Sequence, residues 1–221
     1  MLVSLGTFNL NNLFSRFNYE AEVAALPASE AVIETETTFA VDDPATHRFR
    51  SYKGRLVMGK PAAQRERIAA RIVAMDVDVL AVQEVEDIDT LKRFNRDELG
   101  GRYGWVALIE GNDPRLIDLG VLSRLPLGGV TSWRHATHSQ RPGEPVFSRD
   151  LLQVEVLTGD RTRTLVRLFN NHLKSHYVSF DQDPVTGAEQ ANATRRRQCE
   201  VARASSTARP GRAAPTRSSA T

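Results

Sequence analysis

The near-continuous apolar run Val77, Val79, Leu80, Ala81 and Val82, which stops at Gln83-Glu84, constrains the fold more than any other segment. A strand with one wet face alternates apolar and polar side chains. An unbroken run marks a strand covered on both faces, so its sheet must carry a layer on each side. The flanking sequence offers one such layer. Pro61 suits a first helical turn, and Ile68, Ile72 and Met75 recur at helical spacing among Arg and Gln, which predicts an amphipathic helix over 61–75. A second helix over 88–99 turns Leu91, Phe94 and Leu99 inward.

Most of the remaining pattern is strand. Leu2, Leu5 and Phe8 read as a buried first strand ended by the turn-forming Asn9, Asn11 and Asn12. Residues 105–109, 119–123 and 127–133 read as short strands separated by Asn112-Asp113-Pro114 and Pro126. Leu152, Val154 and Val156 alternate with Gln153 and Glu155, the turn Thr158-Gly159-Asp160-Arg161 follows, and Leu165, Val166, Leu168 and Phe169 return as the second arm of a hairpin. Helices early and strands later predict an α/β fold, a two-layer β-sandwich flanked by helices. Residues 18–60 form a long unpatterned excursion with a short helix at 20–26.

The chain's 221 residues, 41% of them hydrophobic, suffice for one core. A last helix spans Glu189 to Val201; after Ala202 the sequence holds only small, polar and Arg residues, so 1–202 is read as the domain and 203–221 as a disordered tail. That tail has four Arg and no acid, which leaves residues 1–202 at a net −2 although the whole chain is +2, so the body is not a basic protein. The lone Cys199 excludes an internal disulfide and any Cys-based zinc cluster. No basic leader and no apolar window of membrane length occur, and the expectation is a cytoplasmic protein with no membrane and no protein partner indicated. Nucleophile elbows, phosphate-cradling glycine loops and dinucleotide fingerprints are absent from the sequence, which argues against serine hydrolases, P-loop nucleotidases and dinucleotide enzymes.

Polar groups sit where strands end in four segments: Thr7 to Asn12, Val82-Gln83-Glu84-Val85, Ile109 to Asn112, and Leu168 to Ser175. Glu84, closing a buried strand, offers a hard oxygen ligand suited to Mg²⁺ or Mn²⁺. Asn9 orients a phosphate oxygen or a neighbouring carboxylate without adding charge. His172 suits proton transfer near neutral pH, and Glu110 is a natural carboxylate to fix its tautomer. Arg195-Arg196-Arg197 point in different directions on a helix and read as solvated, and His135 and His138 lack a third zinc ligand. Lys174 and His176 read equally as phosphate contacts or as an exposed strand end.

The ordered set Phe-Asn-Leu (8–10), Val-Gln-Glu-Val (82–85), Gly-Val-Leu-Ser-Arg-Leu-Pro (120–126), Phe-Ser-Arg-Asp (147–150) and Asn-Asn-His-Leu-Lys-Ser (170–175) resembles the endonuclease/exonuclease/phosphatase superfamily with the DNase I-like fold. The resemblance covers residues 1 to about 200. It implies a magnesium-dependent phosphodiesterase, a nuclease hydrolysing DNA or RNA, with Glu84 and Asn9 at the metal and His172, Glu110 and Asn9 in catalysis. Arg149 and Asn171 would lie against the substrate, while Asp118 and Arg124 are structural. Family members continue with a Gly-Asp-x-Asn and then a Ser-Asp-His segment, neither of which follows His172 here, so the expectation is a truncated or frameshifted member whose centre is half present. The alternatives are a catalytically dead remnant or phosphate- or nucleic-acid-binding module, and a phosphodiesterase or phosphatase acting on lipid or inositol phosphates.

Overall fold

The computed structural model describes residues 2–14, 60–176 and 183–207. The elements run β1 (Leu5–Leu13), α1 (Ala62–Met75), β2 (Val79–Val85), α2 (Ile88–Asp97), β3 (Trp105–Ile109), β4 (Asp118–Ser123), β5 (Leu127–Ser132), β6 (Thr137–His138), β7 (Arg141–Pro145), β8 (Leu151–Leu157), β9 (Thr164–Asn171) and α3 (Pro184–Thr207). This is a mixed α/β fold. A four-stranded sheet has the order β1-β2-β4-β3, a three-stranded sheet the order β5-β8-β9, and β6 and β7 form a small ribbon.

The apolar run behaves as its pattern requires. Val79, Leu80, Ala81 and Val82 are all buried in the interior strand β2, parallel to β1 and antiparallel to β4. Leu80, Val82 and Val85 face a core completed by Ile72 of α1, Leu91 and Phe94 of α2, and Tyr103. On the opposite face Val79, Ala107, Leu119 and Val121 meet Leu152, Val154 and Val156 of β8. The order is therefore helices, four-stranded sheet, three-stranded sheet, with an apolar core in each gap. Asp87 caps α2 by accepting the Thr90 N–H at 2.7 Å.

Several expectations need correction. Leu2 and Leu5 are not buried: Leu2, 96% exposed, precedes β1, and Leu5 is 47% exposed on that edge strand, whose fully buried side chains are Leu10 and Leu13, with Phe8 packing partly against the same core. Asn9, Asn11 and Asn12 do not end β1 but lie within it; Asn11 and Asn12 take positive φ and the register breaks between Asn9 and Leu13. β2 likewise continues through Gln83-Glu84 to Val85. The ribbon β6–β7 carries no alternation that the sequence could have announced. α3 extends beyond both ends of the span read from sequence, and residues 203–207, assigned to the tail, are helical. The excursion, with its helix at 20–26, lies outside the described residues save for Lys60, and so do residues 208–221 of the tail. Among the described residues no helix is long and apolar enough to cross a membrane.

Candidate active site

Two adjoining strand irregularities build the site. In β2 the register shifts between Gln83 and Val85, and Glu84 adopts φ 62°, a left-handed conformation uncommon for a residue with a Cβ. In β1 the break at Asn11-Asn12 frees backbone N–H groups from the ladder, and asparagine tolerates that conformation better than most residues. The freed groups turn to side chains: Asn12 N–H donates to Glu84 Oε2 at 3.0 Å, and Asn11 N–H donates to Asn9 Oδ1 at 2.7 Å. Asn9 Nδ2 in turn donates to Glu84 Oε1 at 2.9 Å. Glu84 is thus held by neutral dipoles on both oxygens.

His172 follows the last residue of β9, and its Nε2 lies 3.7 Å from Glu84 Oε1. Burial pulls the imidazole below its usual pKa and the nearby Arg149 charge adds to that, against the opposing carboxylates of Glu84 and Asp113. The ring is neutral at pH 7, and its buried Nδ1 has no hydrogen-bond partner. Arg149 Nη1 donates to the His172 carbonyl at 3.3 Å, and Arg149 Nε lies 3.4 Å from Asp113 Oδ2. Burial tends to raise the Asp113 pKa, but hydrogen bonds and charge from Arg115 outweigh it and keep the group ionised. Burial also pulls the Arg149 guanidinium below its usual range, opposed by Asp113. Lys60, Arg115 and Arg149 all feel the Glu84 charge, which makes the surroundings of this carboxylate favourable to an anion.

Behind the site a buried polar network links the sheets. Asn170 Nδ2 donates to the Val82 and Gly120 carbonyls at 2.9 and 3.0 Å, and its Oδ1 accepts from Gln83 Nε2 at 2.8 Å. Gln83 also donates to Thr7 Oγ1. Both side chains were passed over in the sequence, where Gln83 and Asn170 served only as motif letters; a polar residue closing an apolar run was the available signal. Gly111 permits a close approach, since a Cβ there would sit 2.7 Å from the Arg149 carbonyl oxygen, and its N–H donates to Asp118 Oδ1 at 2.8 Å. Burial pushes Asp118 up to about 7, and its Oδ2 is buried without a partner.

The structure therefore brings Asn9, Glu84, His172 and Arg149 together, with Asp113 and Arg115 as additions. Glu110 does not join them: its side chain is exposed, no hydrogen bond or ion pair links it to His172 among the described residues, and Glu84 is the carboxylate beside that ring. The strand that carries Glu110 ends at Ile109, and Arg134 binds its carbonyl instead. Asn171 points back to the Asp150 carbonyl at 3.4 Å. Arg195 contacts the His176 ring and Arg196 is exposed, while His138 pairs with Glu200. A groove of about 880 Å³ opens beside His172, running between the β1 and β9 edges past Lys174 and Arg195.

Comparison of the chain with family models and with curated proteins finds no match. Fitness for a metal rests on the donor set. Each Glu84 oxygen accepts one hydrogen bond and keeps lone-pair capacity for a cation. Among the described residues no group of three or more His, Cys, Asp or Glu forms a closed cage. One carboxylate with an adjacent amide suits Mg²⁺, which takes its other ligands from water and phosphate, and does not suit a cage-bound zinc.

Proposed function

We propose that this chain is a metal-dependent phosphodiesterase of the DNase I-like class, acting on the backbone of DNA or RNA. The observation that carries the reading is Glu84, a carboxylate fixed by neutral donors beside a neutral, half-buried histidine and the paired Arg149. Glu84 with Asn9 would hold Mg²⁺ or Mn²⁺, which when bound supplies positive charge to a phosphoryl group. Arg149 provides the planar donors that suit a phosphate oxygen. His172, uncharged at neutral pH, holds or moves a proton at its Nε2. Asn9 keeps the Glu84 carboxylate in one orientation.

The test is release of p-nitrophenol from bis(p-nitrophenyl) phosphate, and cleavage of labelled DNA and RNA oligonucleotides, with Mg²⁺, Mn²⁺ or EDTA. The reading predicts turnover that EDTA abolishes and that Glu84→Gln and His172→Asn each lower by at least about 100-fold. Undiminished metal-dependent cleavage in both variants refutes the assigned roles. Salt-sensitive oligonucleotide binding with no cleavage at any metal concentration replaces the enzyme with a nucleic-acid-binding module.

A further inference from the structure

We infer that Gln198 of α3 is a positioning residue for the candidate site, clamping the segment that carries His172 to the segment that carries Arg149. The ladder between β8 and β9 ends at the pair Leu151↔Asn171, so residues 146–150 on one side and 172–175 on the other continue past the last strand pairing. Both site residues lie in these two continuations, where something other than the sheet must fix their separation. Arg149 supplies one tie through the His172 carbonyl. Gln198 supplies another: its Oε1 accepts the Lys174 N–H at 2.9 Å and its Nε2 donates to the Val146 carbonyl at 3.1 Å.

The burial of Gln198 shows that this amide is not incidental. The buried residues of α3 are Gly187, Ala191, Gln198 and Ser205, so Gln198 is the one long side chain on a stripe of small ones, and it is 1% exposed. A methionine or leucine would fill that volume and serve neither backbone group. A side-chain amide, with a donor and an acceptor on one rigid plane, serves both at once. α3 has a separate tie to the β6–β7 ribbon, the hydrogen-bond contact of the half-exposed Glu200 side chain with His138 Nε2 at 2.9 Å. That pair touches neither site segment, so docking of the helix and positioning of the site can be perturbed independently.

The catalytic part of this inference rests on the phosphodiesterase reading; the positional part does not. The experiment compares full-length wild type with Gln198→Met, Gln198→Glu and Glu200→Gln. It measures kcat and KM on bis(p-nitrophenyl) phosphate and, by mass spectrometry, amide hydrogen exchange over residues 170–176. Gln198→Met should lower kcat about 10- to 100-fold with KM within about twofold, the size typical of losing an outer group that orients a reacting one, and should speed exchange at least about tenfold. Gln198→Glu keeps the acceptor for Lys174 and loses the donor to Val146, and should fall between. Glu200→Gln should change neither reading. Unchanged exchange in Gln198→Met overturns the clamp, and so does a Glu200→Gln that reproduces its losses. Faster exchange with unchanged kcat refutes the role in catalysis. If Gln198→Met does not fold, the Glu variant decides, and wild-type exchange and kcat in it overturn the proposal. If wild type hydrolyses nothing, the phosphodiesterase reading fails while the exchange comparison still decides the clamp.

Discussion

Asp118 offers a stability measurement whose sign follows directly from burial. Its carboxyl is 2% exposed, accepts one hydrogen bond from Gly111, and has Oδ2 buried with no partner. Loss of water opposes ionisation first, and the charges of Glu110, Asp113 and Asp150 add to it. Between the ordinary value of 3.8 and the folded value of about 7, the native protein keeps a proton that the unfolded chain has lost. The native state binds more protons in that window, so stability falls as pH rises through it and is level above about 7. At about 1.36 kcal/mol per pH unit the whole interval amounts to about 4 kcal/mol. Asp118→Asn removes the titration while keeping the acceptor for Gly111. Urea unfolding at pH steps from 4.5 to 8.5, which cover about 2.5 units of that interval, should show the variant gaining on wild type by about 3 kcal/mol, or about 6–12 °C in Tm for a chain of this size. His172, whose lowered pKa makes stability rise with pH below 6.5, and Asp150, whose raised pKa acts in the same sense as Asp118, are common to both proteins and cancel in the difference. A difference that is flat across this range refutes the buried-acid argument.

Three further outcomes are expected. Gly111→Ala forces a methyl group against the Arg149 carbonyl and should cost about 1–3 kcal/mol in urea unfolding; an unchanged midpoint contradicts the close approach. Asn170→Leu removes the hydrogen bonds to the Val82 and Gly120 carbonyls and the one that the Gln83 amide donates, leaving Gln83 with its longer tie to Thr7, for a loss of about 2–5 kcal/mol that chemical denaturation would register. NMR titration of His172 should give a midpoint below 6.5, moving upward in Arg149→Met as the neighbouring positive charge is removed; a wild-type midpoint above 6.5 contradicts the burial of the ring.

Hydrophobic period made the layers legible and was blind to the irregularities that build the site. α2 follows its pattern because Leu91 and Phe94 repeat on one face, and β8 because the buried Val154 and Val156 alternate with half-buried neighbours. The paired bulges were not legible: asparagines at a strand end and asparagines inside a bulged strand have the same composition, and the choice was made by the fit of Asn12 N–H to Glu84 across the two strands. Asn9, Glu84, Arg149 and His172 were legible through their motif order, and the structure sets them together. Glu110 was placed by its strand-end position and by a looser family match, neither of which fixes a side chain's direction, and it is exposed while Glu84 stands beside His172. Asp113 and Arg115 sat in a segment read only as a loop, although an Asp-x-Arg spacing lets one side chain chelate the other, as it does here.

The way Glu84 is held decides what it can do. A carboxylate locked to a lysine or arginine has its charge neutralised by the partner, whereas one held by an amide and a backbone N–H keeps that charge for an incoming cation. Among the described residues no Lys or Arg lies within ion-pair distance of Glu84, and Arg149 and Arg115 are directed to Asp113. Asn9→Asp tests this division, because it sets a second negative charge where a neutral donor now stands 2.9 Å from Glu84 Oε1. Without a divalent ion, two adjacent carboxylates repel and the hydrogen bond is lost, so the variant should melt below wild type. If Glu84 is a cation ligand as proposed, millimolar Mg²⁺ would take both carboxylates, and stabilisation by mass action should return most of the loss. Thermal melts with and without Mg²⁺ should therefore show a larger metal-induced rise for Asn9→Asp than for wild type. Equal rises in the two proteins would mean that Glu84 is not a cation ligand, and the neutral donors around it would then serve only to close the two bulges.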